Sequence, residues 1–279
     1  GIIKPGRTAI SAVTQPEAKA AMENEAAATG ADLRQLDLNR TITEIRISES
    51  GTSWHEVPAG KDWQIGMAGS FQARNGQTAI AAARVLNERG WNLSDDAIPH
   101  GLAAARIPGR AEAMPGTPRT LLDGAHNAQK VAALAADLPA LLPVRDGGRR
   151  IIVLGALEAK HVEETIASLR PHADAIVATS PQVFAKASRA AERLAEAIDA
   201  AGFDGPLYTE PNPIDALARA RSLTRPGHDD AMLVTGSLYL VGNVRDAWFP
   251  ADKVVEQHTS WPASPAVPVL SPSSRAMPT

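Results

Sequence analysis

The chain has 279 residues, 44% of them hydrophobic, which is enough for one large or two ordinary domains with a substantial core. Its 28 basic and 31 acidic residues leave a net charge of −3, a balance that does not suggest nucleic acid or an anionic membrane surface as partner. It has no cysteine, which excludes disulfides, thiolate metal sites and a thiol nucleophile, and no apolar run long enough to span a bilayer.

The chain opens Gly1-Ile2-Ile3-Lys4-Pro5-Gly6-Arg7 without Met and with no signal-peptide pattern before an apolar strand at 8–13, as if it began inside something longer. Thr14, with Glu17 three residues on, predicts a capping box for a helix that runs to Ala28 and stops at Gly30. A short strand over 33–38, an alternating strand over 40–47 and further short strands and turns over 49–68 follow. The segment from Gly69 leads into a helix over 75–88, ended by Gly90; Ser94 caps another to Arg106. Ile107-Pro108-Gly109 reads as a domain junction.

Beyond the junction the pattern is regular. Strands are predicted over 120–123, 150–155, 173–179, 206–209 and 231–235. Each is followed by a helix, over 127–141, 161–169, 184–201, 213–223 and 237–248. Five strand–helix units in succession predict an α/β domain, a mostly parallel sheet covered on both faces in a Rossmann-like arrangement. Residues 251–279, rich in Pro and Ser, read as a disordered tail.

The chemistry concentrates after the junction. Arg110 precedes the 120–123 strand, which ends in Asp123-Gly124-Ala125-His126-Asn127. The C-terminal end of a strand in an open α/β sheet is where ligands bind, so a guanidinium, a carboxylate and an imidazole would converge on one edge. The same residues also suit a polar turn in which Asn127 caps the next helix, and spacing alone does not choose. Thr235-Gly236-Ser237, at another strand end, is either an anion-binding turn or a turn and cap. Lys160 follows the 150–155 strand and reads as solvated or as facing the same edge; His161 and His172 read as surface residues. There is no Walker A loop, no G-x-G-x-x-G after the first strand of either half, no H-E-x-x-H and no G-x-S-x-G elbow. A nicotinamide dehydrogenase is thereby disfavoured, and no metal ligands are assigned.

Five segments run in order along the chain: GIIKPGRTAIS at the start, Gly69-Ser-Phe-Gln-Ala-Arg-Asn75, Gly109-Arg110, Leu121-Leu-Asp-Gly-Ala-His-Asn127 and Val234-Thr-Gly-Ser-Leu-Tyr-Leu-Val241. Together, and in that order, they resemble the folylpolyglutamate and dihydrofolate synthases of the Mur ligase superfamily. The resemblance implies a remnant of the central ATPase domain over 1–106, a Rossmann-like C-terminal domain over 107–250, and a monomeric cytoplasmic enzyme. ATP and Mg²⁺ would be its cofactors, and L-glutamate and dihydropteroate or a folate its substrates. The carboxylate is phosphorylated and the glutamate amine displaces phosphate. On this resemblance Asn75 contacts adenine, Arg110 the ATP phosphates and Asp123 the ribose hydroxyls, in a cleft between the two domains, and His126 lies near the nucleotide. Departures stand beside it: Phe71 in place of the usual His, Gly76 in place of Ala, and Ala159-Lys160-His161 where D-K-D is common. The family's G-K-S phosphate loop, its metal ligands and the lysine carbamylated in many members would lie upstream of Gly1, so this chain alone is expected to be inactive. The alternative is a non-catalytic binding or assembly protein built on the same C-terminal fold.

Five βα units can close a sheet on both faces, whereas residues 1–106 would expose a sheet edge. Limited proteolysis is therefore expected to cut within 1–106 first; a digest that removes 107–250 and spares 1–106 would contradict this.

Overall fold

The computed structural model describes residues 1–94, 96–159 and 162–263. Lys160, His161 and the tail from 264 onward lie outside the described residues. The chain divides into two compact units, Gly1–Arg106 and Ile107–Thr279. Among the described residues no helix is long and apolar enough to cross a membrane.

The first unit contains β1 (Thr8–Ser11), α1 (Pro16–Thr29), β2 (Asp32–Gln35), α2 (Leu38–Thr41), β3 (Ile42–Ser48), β4 (Gly51–Glu56), β5 (Lys61–Ile65), α3 (Ser70–Glu88) and α4 (Ala97–Ala104). Strands β1 and β2 pair in parallel, while β3, β4 and β5 form an antiparallel meander. Helix α3 packs on the meander and on β1. Its buried Ala73 and Ile80 meet Trp54, Trp63 and Ile65 of the meander. The expected Thr14 cap is not made: Gln15 takes the N-cap position and Pro16 opens α1, its fixed φ suiting the first helical turn. Helix α3 starts five residues earlier than predicted, so Phe71 to Asn75 lie in its first turns. Helix α4 is likewise capped not by Ser94 but by Asp96, which contributes no side-chain hydrogen bond.

One carboxylate organises this unit. Glu56 is 2% exposed and accepts from Arg84 Nη1 (2.6 Å) and Nη2 (2.8 Å), Trp63 Nε1 (2.8 Å) and Gln77 Nε2 (2.7 Å). Gln77 Oε1 in turn accepts from Trp54 Nε1 at 2.9 Å. The network ties β4, β5 and α3 together and satisfies both indoles.

The second unit contains β6 (Glu112–Met114), β7 (Arg119–Leu122), α5 (Ala128–Leu141), β8 (Arg150–Gly155), α6 (Glu163–Leu169), β9 (Ala175–Thr179), α7 (Ala191–Ala200), β10 (Leu207–Thr209), α8 (Pro213–Ser222), β11 (Ala231–Thr235), α9 (Leu238–Arg245) and α10 (Ala251–Glu256). The sheet order is β10-β9-β8-β11-β7-β6, parallel except for the edge strand β6, which sequence reading missed. The predicted Rossmann-like, mostly parallel sheet is therefore what forms. β9 and β11 are buried at every position, as strands covered on both faces must be.

The chain enters at the edge strand β6, turns back into β7, steps across to β8, and moves outward to β9 and β10. It then returns to insert β11 between β8 and β7. Right-handed crossovers place α5, α6 and α7 on one face and α8 on the other, where α8 packs with α9. Leu122, Val153, Val177, Met232 and Val234 face that second layer with Leu217, Leu240 and Val244.

Two further differences have local causes. The stretch 184–190, predicted as helix, is loop: Leu157 and Ser188 form a bridge, and Gln182 exchanges two hydrogen bonds with Asn243. These long-range partners outcompete local helix propensity. The stretch 251–263, predicted as disordered, carries α10 and ends on Trp261, which is anchored by hydrogen bonds. His172, read as a surface residue, is half-buried, and burial together with the Arg150 charge lowers its pKa.

Burial pushes the Glu56 carboxyl up, but the hydrogen bonds from Arg84, Trp63 and Gln77 outweigh it and hold it below its ordinary value of 4.5. A lowered carboxylate stabilises the fold fully above its unfolded pKa and loses that contribution as the pH falls through the folded one. Glu56→Gln is expected to destabilise the first unit by about 2–3 kcal/mol and to flatten its stability loss below pH 4.5. Urea titrations of both proteins across pH 3–7 check this; parallel pH profiles would refute it.

Candidate functional site at the sheet reversal

Where β11 inserts beside β7, the two strand ends lie side by side. This reversal of strand order is the place where open α/β sheets receive ligands. The two loops that leave it are joined: Asp123 N donates to Val234 O at 3.0 Å and Gly236 N to Ala125 O at 3.0 Å.

Asp123 is 3% exposed. Its Oδ2 accepts from Ala111 N at 2.8 Å and its Oδ1 from Ala125 N at 2.7 Å. Each oxygen retains a lone pair. Burial pushes the carboxyl up, opposed by these two N–H groups and by the Arg110 and Lys130 charges, and the net shift is upward from 3.8. The charged form thus costs stability as the pH rises above that value, the opposite sense to Glu56.

Arg110 is half-buried and sits between Gly109 and Ala111, both of which have positive φ, 67° and 46°. Gly109 O accepts from Gly124 N at 2.8 Å, and Gly109 N donates to Glu112 Oε2 at 2.8 Å. The backbone on either side of the arginine is therefore held by a carboxylate, with Asp123 on one side and Glu112 on the other.

His126 is half-buried, with Nδ1 2.8 Å from Gly124 O. A carbonyl only accepts, so Nδ1 carries the proton and Nε2 of the neutral ring is an acceptor. Asn127 caps α5 as predicted, its Oδ1 accepting from Lys130 N at 2.9 Å. The structure thus brings Arg110, Asp123 and His126 to one edge. Asn75 belongs to the first unit, where it is exposed on α3 and donates to Gln72 Oε1 at 3.0 Å. Ser237 caps α9 by accepting from Tyr239 N at 3.1 Å, while the buried Thr235 Oγ1 has no hydrogen-bond partner. Among the described residues no group of three or more His, Asp or Glu side chains could hold a metal ion.

Residues 109–238 match the family described as Mur ligase, glutamate ligase domain. These residues are a Mur ligase glutamate ligase domain. Over most of its length the chain is homologous to folylpolyglutamate and dihydrofolate synthases. A dihydrofolate synthase/folylpolyglutamate synthase of Bacillus subtilis (strain 168) is 32% identical over 250 residues, covering 88% of this chain and 55% of that protein. A folylpolyglutamate synthase of Lacticaseibacillus casei is 28% identical over 249 residues, with the same coverage of 88% and 55%. A Mycobacterium tuberculosis folylpolyglutamate synthase, solved with ADP and AMPPCP, superposes with a TM-score of 0.74 at 25% identity, over 86% of this chain and 55% of that one. The chain spans about half the length of the relatives it matches.

Glu112, missed in the sequence, holds the same 109–111 backbone that Asp123 does. Its place three residues after Gly109 was visible, but its partners were not. Gly124 is also decisive, since a Cβ there would run into Cδ2 and Cγ of Leu238. Gly124→Ala is expected to cost about 1–3 kcal/mol, and Leu238→Ala on the same chain should recover most of it. Denaturant midpoints of the two variants check this; equal destabilisation with and without Leu238 would refute the steric account.

Proposed function

We propose that this chain supplies the glutamate ligase domain, and part of the ATP-binding domain, of an ATP-dependent ligase. The enzyme joins L-glutamate to dihydropteroate, to folylpolyglutamate, or to both. The observation that carries the reading is the edge formed by Arg110, Asp123 and His126 inside a domain homologous to such enzymes. A relative solved with ADP and AMPPCP supports a nucleotide ligand.

On this reading the permanently charged Arg110 fork binds phosphate oxygens, where planar bidentate geometry suits it better than a lysine. Its partial burial strengthens the interaction. The remaining Asp123 lone pairs accept from the ribose hydroxyls, and Asn75 contacts the adenine. His126 Nε2 is an acceptor for a hydroxyl or ammonium proton near the nucleotide. The γ-phosphoryl passes to the substrate carboxylate with release of ADP. The glutamate amine then attacks that carbonyl carbon, the C–O bond to phosphate breaks, and an amide and inorganic phosphate result. Charge accumulates on the phosphoryl oxygens, so a fixed guanidinium contributes most there. Among the described residues no cluster of three or more His, Asp or Glu side chains could hold a metal ion, and no step here uses one.

The test is phosphate release from ATP with dihydropteroate, or with tetrahydrofolate, plus glutamate. It compares this chain with a version extended by an upstream G-K-S loop. Activity in the longer form only is expected. Arg110→Ala should lower it by roughly 10²–10³-fold, the scale of losing one charge-stabilising donor. No activity and no ADP binding in either form would move the reading to a non-catalytic binding protein.

A further inference from the structure

Glu112 does more than accept from Gly109. Arg245, on the last turn of α9, grips it with three contacts: Nε to Oε1 at 3.1 Å, Nε to Oε2 at 2.9 Å and Nη2 to Oε1 at 2.7 Å. Trp261 Nε1 donates to the same Oε1 at 2.7 Å. Arg245 Nη2 also donates to Ser260 O at 2.6 Å, and its guanidinium stacks 4.5 Å from the Phe249 ring and 5.7 Å from the Trp261 ring. The pair is largely sequestered, with side-chain exposures of 12% for Arg245 and 8% for Glu112. The segment that reaches Glu112 is itself pinned, Trp261 N donating to Thr259 Oγ1 and Ala263 N to Gln257 Oε1.

We propose that Glu112, Arg245 and Trp261 are positioning residues for Arg110, and that the Ser260–Trp261 segment is a strap that fixes the backbone from which this guanidinium projects. The chain of contacts is continuous. Trp261 and Arg245 orient the Glu112 carboxylate, Glu112 holds the Gly109 N–H, and Asp123 holds the Ala111 N–H. Arg110 lies between those two anchored amides. Left to itself, an alanine at φ 46° would return to negative φ and re-aim its neighbour. An ion pair used only for stability would be as well replaced by apolar residues. Here the carboxylate of the pair also accepts from the backbone N–H of Gly109, next to Arg110. The strap lies past residue 238, where the matched family domain ends.

The value of the strap to catalysis rests on the phosphate role proposed for Arg110; its effect on the backbone does not. Two variants test it in the full chain. Trp261→Phe keeps a ring over Arg245 but removes the N–H donor. Glu112→Gln keeps the shape but loses the charge. Three readouts are taken: amide hydrogen exchange at Gly109 and Ala111, exchange at Leu233 in β11 as an internal reference, and affinity for ADP beside an Arg110→Ala control. Both variants are expected to accelerate exchange at Gly109 roughly tenfold, the scale of one hydrogen bond to a charged acceptor. Leu233 should be unchanged, and ADP affinity should fall toward that of Arg110→Ala. Unchanged Gly109 exchange in both variants overturns the proposal. So does acceleration of equal size at Leu233, which would mean global loosening. Selective acceleration at Gly109, with ADP affinity untouched even by Arg110→Ala, upholds the strap and overturns the phosphate role.

Discussion

The second unit's site depends on two carboxylates that each accept from a backbone N–H beside Arg110. Asp123 and Glu112 each take an N–H from the three-residue loop 109–111, on either side of Arg110. That loop holds two positive φ values, one at an alanine. Such a conformation costs about 1–3 kcal/mol, and hydrogen bonds to charged acceptors are large enough to offset it. The carboxylates therefore select a backbone shape that the sequence would not adopt unaided. The consequence is an arginine whose root is fixed before any ligand arrives, which lowers the ordering cost of binding.

The sheet places those carboxylates. Glu112 pairs with Leu122 across the β6–β7 ladder, so Ala111 falls opposite Asp123. β7 is in turn held by β11, whose late insertion makes the reversal in strand order. β6 is only three residues long and antiparallel, yet it sets the reach from Asp123 to Ala111. Gly124 keeps the turn close to α9, where Leu238 fills the space a side chain would need.

How much of this the sequence showed follows from what each segment packs against. β8 and β11 were read with correct limits because a strand buried on both faces is a short apolar run bounded by turn residues. The Asn127 cap was legible because capping is local. Arg110 and Asp123 were singled out by a junction and a strand end, both visible as patterns. Glu112 escaped because its partners lie 133 and 149 residues away, at Arg245 and Trp261. The loop over 184–190 and the ordered segment to Trp261 were misread for the same reason, since distant contacts decided both. Within the first unit, the two residues that depart from the family pattern also acquire causes. A Cβ on Gly76 would lie 2.5 Å from Trp54 Cη2, so that indole occupies the space alanine would take. A Cβ on Gly69 would meet the Phe71 ring at 2.6 Å, so the ring stacks beneath the turn that starts α3.

The first unit is held from one side. A two-stranded parallel sheet is a weak element by itself, and α1 buries only Ala26. The meander is different: its indoles, Gln77 and Arg84 all converge on Glu56. Helix α3 touches both sheets, so it transmits the order of the meander to β1. Asn75 stands on α3, one residue before Gly76 and two before Gln77. The exposed amide is thus carried by the best-anchored helix of the unit, next to the glycine that lets Trp54 approach. The two units reach the same end by different chemistry. A buried carboxylate fixes the element that carries a polar group, through side-chain donors around Glu56 and through backbone donors around Asp123. The opposite pKa directions of Glu56 and Asp123 follow from that difference, because a guanidinium within hydrogen-bonding reach compensates burial where two amide N–H groups do not.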